Sequence, residues 1–176
     1  MKYDFRINSV LDLLKVQKES LIQYFTNKEF DLTSFSAHTN KEILFYDFMI
    51  PGLKIDNETI KQILSYDYVT SINYTVFVPG VHLYKHIDPC PADENYQMMY
   101  LHKKFIGDPD YRRIHFPIND STENCFMIFD NQKYSWKRGE TQIFHVNKHA
   151  HEVFNQTEHR FHLLMVDVLV GKRASI

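Results

Sequence analysis

Thr70-Ser71-Ile72-Asn73-Tyr74-Thr75-Val76-Phe77-Val78-Pro79-Gly80-Val81-His82-Leu83-Tyr84-Lys85-His86-Ile87 marks the point where the chain changes texture. Two runs rich in β-branched and aromatic residues flank Pro79-Gly80, a turn pair, so 70–78 and 81–87 are predicted as strands joined by a tight turn. The pattern continues downstream. Further strands are predicted over 112–118, 124–130, 133–137, 141–146, 150–155 and 159–170, with Asn131-Gln132 and Arg138-Gly139 as turns. Short strands in such number point to a mainly β fold, a double-stranded β-helix (jelly roll, cupin-like), whose two sheets leave a mouth for a small ligand.

Upstream the spacing differs. Val10, Leu11, Leu13, Leu14, Leu21, Ile22 and Phe25 recur at helical intervals, with Ser9 as the expected cap. Ile43 to Ile50 reads as a strand ended by Pro51-Gly52, and Asp56 or Asn57 is placed to cap a short helix running to about Tyr66. The whole chain of 176 residues, 44% hydrophobic, is expected to be one domain, with 1–69 a helical scaffold containing one strand and 70–170 the β-helix core.

With 20 basic and 22 acidic residues, charge points to neither nucleic acid nor a membrane surface as partner. The amino terminus MKYDFRINSVLDLL lacks the apolar run of a secretory signal, and no stretch is long and apolar enough to span a bilayer. Cys90 and Cys125 are too few for a disulfide framework. A soluble, cytoplasmic protein acting on a small or local substrate is expected. Nothing in the sequence bears on its oligomeric state.

The chemistry-bearing feature is His86-Ile87-Asp88, with His151 63 residues beyond Asp88 and Arg160 nine residues after that. Strand alternation points positions 86 and 88 to one side, and two imidazoles with one carboxylate are the ligand set of non-haem Fe(II) oxygenases. An HxD triplet alone is weak evidence in a chain with ten histidines. Arg160 carries the geometry to hold a bound carboxylate in a bidentate contact. The segment between Asp88 and Tyr111 lacks periodicity, and is expected to be a loop covering the site.

Read in order, Tyr74-Thr75, Pro79-Gly80-Val81-His82, His86, Arg113-Ile114-His115-Phe116-Pro117, Trp136, Gly139-Glu140 and His151-Glu152-Val153-Phe154-Asn155 through Arg160-Phe161-His162-Leu163 resemble the aspartyl/asparaginyl β-hydroxylase family of Fe(II)/2-oxoglutarate-dependent oxygenases. The resemblance spans roughly 70–170. It implies His86 and His151 as iron ligands, Arg160 as the clamp on the distal carboxylate of 2-oxoglutarate with Thr75 assisting, and His115 near the proximal carboxylate. Arg113 then binds cosubstrate or substrate. Family members acting on protein aspartyl residues commonly lack the acidic ligand; Asp88 is present, which draws the chain toward the proline-hydroxylase-like branch. Counted back from Asp167, Arg160 lies one residue from its expected place, and on a strand one residue changes the face. A turn or bulge can restore it.

The activity implied is hydroxylation of an unactivated C–H of a free proline-like amino acid, or of an Asp, Asn or Pro side chain in a peptide, with Fe(II), 2-oxoglutarate and dioxygen consumed and succinate and carbon dioxide formed. The alternative is a cupin-like protein that binds a metal or small ligand without redox chemistry. Of the other histidines, His149 is expected at the rim, His82 at the barrel mouth or in a hydrogen bond near a turn, and His162 either in the site's second layer or in a satisfied core position. Trp136 is expected to pack a sheet edge.

Overall fold

A computed structural model of the chain describes residues 5–89 and 105–173. In it the alternating segments close into two antiparallel sheets. The elements in order are α1 (Phe5–Val16), α2 (Lys18–Asn27), β1 (Thr33–Phe35), β2 (Ile43–Asp47), α3 (Glu58–Ser65), β3 (Val69–Phe77), β4 (Val81–His86), β5 (Phe105–Pro117), β6 (Cys125–Phe129), β7 (Gln132–Tyr134), β8 (Gln142–Phe144), β9 (His151–Asn155) and β10 (Phe161–Arg173). One sheet runs β1-β2-β3-β10-β5-β8 and the other β4-β9-β6-β7, the double-stranded β-helix arrangement.

Residue parity on the long strands sorts the two faces of the larger sheet. Ile72, Tyr74 and Val76 of β3, Ile114 and Phe116 of β5, and Leu164, Val166 and Val168 of β10 pack outward against Ile7, Val10, Leu14, Leu21, Ile22, Phe25, Ile60 and Ile63 of the helices. Odd-numbered neighbours face the other sheet: Phe77, Tyr111, Phe161 and Leu163 meet Val81, Cys125, Met127, Phe129 and Val153. Two apolar layers therefore sandwich β3, β10 and β5, and their near-continuous hydrophobic runs follow from burial on both faces.

The amino-terminal helix departs from expectation. The chain enters helix at Phe5, so Ser9 lies inside it and its hydroxyl donates to the Phe5 carbonyl at 2.8 Å instead of capping. Gln17, at φ −95° and ψ 13°, separates α1 from α2. Asn57 caps α3 as expected, its side chain accepting from the Ile60 N–H at 3.0 Å. The edge strand β1 was not foreseen, because Thr33, Ser34 and Phe35 are all exposed and show no alternation. Gly80 takes φ 74° at the β3–β4 turn, a backbone glycine adopts without strain. The expected loop between Asp88 and Tyr111 is corrected in part, since Phe105 to Tyr111 belong to β5; its residues 90–104 lie outside the described residues. No helix among the described residues is long and apolar enough to cross a membrane.

Candidate metal centre and its cavity

His86 ends β4 and His151 begins β9, and the two are register partners across the strand pair. Asp88 lies two residues past His86, held where its N–H donates to the Val146 carbonyl at 3.0 Å. The register thus brings together what the sequence separates. His86 Nε2 is 3.1 Å from Asp88 Oδ1 and His151 Nε2 is 3.7 Å from Asp88 Oδ2. The three offered ligand atoms all lie within 4.8 Å of one another.

Tautomers follow from the other ring nitrogens. His86 Nδ1 sits 2.7 Å from the Tyr84 carbonyl and His151 Nδ1 3.4 Å from the His149 carbonyl. A carbonyl can only accept, so each Nδ1 carries the proton and each Nε2 turns its lone pair toward Asp88. That arrangement suits a cation and is unfavourable without one. Accordingly the hydrogen bond to Asp88 raises the His86 pKa, a proton taking the place a metal would fill. Burial lowers that of His151. Burial alone would raise the carboxyl of Asp88, but Arg113, His86 and His151 together hold it well below the usual range. Two imidazoles and a carboxylate at this spacing fit a divalent first-row metal such as Fe(II).

The triad lines a cavity of about 610 Å³, which is also lined by Thr75, Tyr111, Arg113, His115, Trp136, Leu163, Met165 and Asp167. Arg113 and Asp167 are register partners on β5 and β10. The guanidinium donates from Nε to Asp167 Oδ1 at 2.7 Å and from Nη2 to Oδ2 at 3.1 Å, and Nη1 donates to Asp88. Nη2 also reaches the Tyr111 hydroxyl at 3.0 Å. Arg113 is therefore an orienting partner of the metal-site carboxylate, and few of its N–H groups are left for the cosubstrate or substrate the sequence assigned to it.

His115 is 4% exposed. Trp136 Nε1–H donates to its Nδ1 at 3.2 Å, which leaves the proton on Nε2. Burial, reinforced by Arg113 and His151, holds its pKa well below the ordinary histidine value, so it presents a neutral N–H. Trp136 is thus part of the cavity wall and not of a sheet edge. Thr75 lines the cavity as expected, directly opposite Leu163.

Arg160 does not join them. It is exposed in the turn before β10, and its backbone carbonyl accepts from Asn119. The physical reason is parity: Leu163, Met165 and Asp167 line the cavity, Phe161 shares their parity, and Arg160 has the other. The one-residue offset noted in the sequence is real and no bulge among the described residues corrects it, the β3–β10 irregularity lying at Asp167/Val168.

His82 stacks on Phe154 with centroids 4.0 Å apart and pairs with Glu152 at 3.1 Å, away from the cavity. His162 Nδ1 lies 2.6 Å from the Tyr74 hydroxyl on the helix-covered face, a half-buried position with its polar atom satisfied. His149 faces Asp130. Sequence reasoning missed His38, which lines the cavity with its ring parallel to that of His86, 6.0 Å away. Its positive φ of 57° is invisible to pattern reading, and the turn is held beside β4 by the isolated bridge Thr39 to Leu83 and by the Asn40 side chain, which accepts from the His82 N–H, neither of which leaves a periodic trace.

A family model described as aspartyl/asparaginyl beta-hydroxylase matches residues 56–170. Among solved structures, a prolyl-4-hydroxylase from Pseudomonas putida aligns at 13% identity over 92% of this chain and 88% of that one, with a TM-score of 0.50. A predicted oxalate decarboxylase from Thermotoga maritima aligns at 10% identity over 81% and 95%, with a TM-score of 0.49. At these identities the likeness concerns the fold. No curated protein sequence matches the chain.

Proposed function

Since this chain belongs to the aspartyl/asparaginyl β-hydroxylase family, we propose that it is an Fe(II)-dependent oxygenase, using a 2-oxo acid as co-oxidant, that hydroxylates an unactivated C–H of a free amino acid or an amino-acid residue. The observation that carries this is the triad of His86, Asp88 and His151 lining a cavity, with ligand atoms within 4.8 Å of one another. Three protein ligands leave positions on the ion for a chelating 2-oxo acid and for dioxygen, and the bound metal supplies the oxidising chemistry.

What this chain's own residues contribute is more local. Arg113 holds Asp88, and the Tyr84 and His149 carbonyls hold the imidazoles, so the ligand set is arranged before the ion arrives. His115 offers one neutral donor toward the cavity and Thr75 one hydroxyl. Around them Met165, Leu163, Val153 and Met127 exclude water from the reacting volume. The residues fit the metal and the chelating end of a 2-oxo acid. Among the described residues none supplies a free cation for the distal carboxylate of 2-oxoglutarate, because the Arg160 side chain expected there is exposed outside the cavity. A complete HxD…H triad favours the proline-hydroxylase-like branch, and proline, other free amino acids, and Asp-, Asn- or Pro-containing peptides form the substrate panel.

The displacement of Arg160 also favours the second reading, a cupin-like metal binder without redox chemistry. The test is anaerobic reconstitution with Fe(II), addition of dioxygen and a set of 2-oxo acids, and mass-spectrometric detection of one added oxygen across the panel. Metal binding with no substrate-dependent oxygen incorporation, whichever 2-oxo acid is present, would establish the second reading.

A further inference from the structure

The cavity changes character along the strands. Register assembles its wall from the larger sheet in rungs: Asp167 lies between Arg113 and Ser71, Met165 between His115 and Asn73, and Leu163 between Pro117 and Thr75; at the next rung Phe77 lines the cavity and its register partner Phe161 packs behind the lining. The first rung is charged and touches the metal-site carboxylate through Arg113. The last is wholly apolar. Phe161, 2% exposed, stacks on Trp136 with centroids 4.7 Å apart and on Phe77 at 6.3 Å. Met127 and Val153 complete this end from the smaller sheet.

Among the described residues, the one arginine or lysine lining the cavity is Arg113, and it is already committed to Asp88 and Asp167. Among the described residues, a carboxylate carried to the inner rungs would meet one hydroxyl, that of Thr75, and no cation, an unfavourable place for a desolvated charge. An aliphatic or aromatic tail would instead be buried against Leu163, Trp136, Met127 and Val153. We propose that the co-oxidant site is built for a 2-oxo acid with an uncharged aliphatic or aromatic tail, not for a dicarboxylic one, and that Phe161, packed behind the lining residues Trp136 and Phe77, sets this choice by placing an apolar ring where a cation would otherwise reach in. This rests on the 2-oxo-acid oxygenase assignment above.

The chemistry balances. The C1–C2 bond of the 2-oxo acid breaks and C1 leaves as carbon dioxide. One oxygen atom of dioxygen completes the new carboxylate at C2 and the other enters the substrate C–H. Two electrons from each organic partner reduce dioxygen. With 4-methyl-2-oxopentanoate the coproduct is 3-methylbutanoate in place of succinate.

The test begins without turnover. The full chain is loaded with Zn(II) and titrated with 4-methyl-2-oxopentanoate, phenylpyruvate and 2-oxoglutarate, reading calorimetry and the fluorescence of Trp136, the single tryptophan of the chain. The expected result is binding of one of the apolar acids about tenfold or more tighter than 2-oxoglutarate. Equal or tighter binding of 2-oxoglutarate overturns the proposal and leaves the oxygenase assignment standing. If no 2-oxo acid binds, both fall. Phe161→Arg is expected to reverse the order. Should it not fold, Arg160→Ala still decides: exposed as Arg160 is, the variant should leave every affinity unchanged, and loss of 2-oxoglutarate binding would refute the assignment of that end of the cavity.

Discussion

Replacing Arg113 with methionine, similar in reach but uncharged, tests whether the guanidinium builds the metal site or merely fills the wall. In the folded chain it is bonded to Asp167 and Asp88, whose side chains are 6% and 16% exposed. Removing one partner of such a buried pair costs about 3–5 kcal/mol, because the remaining charge is left uncompensated. Arg113 is itself 18% exposed and faces the cavity. Water there screens part of the loss, which places the cost near 3 kcal/mol. For a chain of this length that corresponds to a fall in Tm of about 6–12 °C. The gap should narrow in acid. The Asp88 carboxyl is held below its ordinary value, so its contribution is present above the unfolded pKa of about 3.9 and is lost as pH falls below it. Without Arg113 there is less to lose. Deleting a cation beside a metal site would by Coulomb's law alone tighten metal binding. If Arg113 instead orients Asp88, affinity should fall by about 10–100-fold, the usual effect of losing a ligand's supporting partner. Thermal melts of the apoprotein and Mn(II) titration by calorimetry measure both quantities. Tighter Mn(II) binding by the variant, or a stability loss under about 1 kcal/mol, would refute the orienting role.

Further expectations concern single groups. Asp88→Ala removes the one oxygen ligand of the triad and should weaken Fe(II) binding by about two orders of magnitude and abolish hydroxylation; a variant with full turnover would withdraw the three-ligand site. Trp136→Phe deletes the donor to His115 Nδ1 at a cost of about 1 kcal/mol, and nitrogen NMR of the imidazole should then report mixed tautomers where the wild type shows one. Apoprotein stability should fall as pH drops below about 6.5, because the unfolded chain takes up a proton there that buried His115 refuses. His151 and His162, also lowered by burial, act in the same direction, whereas His86, raised by Asp88, acts against them; urea titrations at pH 7.5 and 5.5 give the sign, and His115→Gln should flatten the profile. Burial pushes the Cys125 thiol up to about 12, so peptide mapping after alkylation of the native protein at pH 8 should find it unmodified.

Much of the architecture could be read from residue order because the physics there is local. The runs 70–78 and 81–87 about Pro79-Gly80 pointed to two strands joined by a turn, and they recur as β3 and β4, which the turn carries into different sheets. Asp56 or Asn57 marked a helix start, and Asn57 takes the role, since a side-chain acceptor there satisfies a free N–H group of the first turn. His86, Asp88 and His151 were legible as ligand types, although their meeting depends on β4 pairing with β9 in the register that opposes His86 to His151.

Arg160 shows where such reading stops. Residue type and spacing from His151 both suggested a carboxylate clamp, yet the side a strand residue faces depends on its parity with partners far away in the chain. Asp167 opposite Arg113 and Leu163 opposite Thr75 fix that parity for β10, putting Phe161 inside and Arg160 outside. Arg113 was assigned to a ligand for a related reason: an arginine's partner is whichever carboxylate the fold brings near, and the register supplied Asp167. His38 reached the cavity through a positive-φ turn and one isolated bridge, neither of which leaves a periodic trace. Residue order carried most of the strands, the start of α3 to within one residue and the types of the candidate metal-binding side chains, because these depend on neighbours a few residues away. Which charges meet and which end of the cavity is apolar came out only on folding, because both depend on register between strands that lie up to about a hundred residues apart.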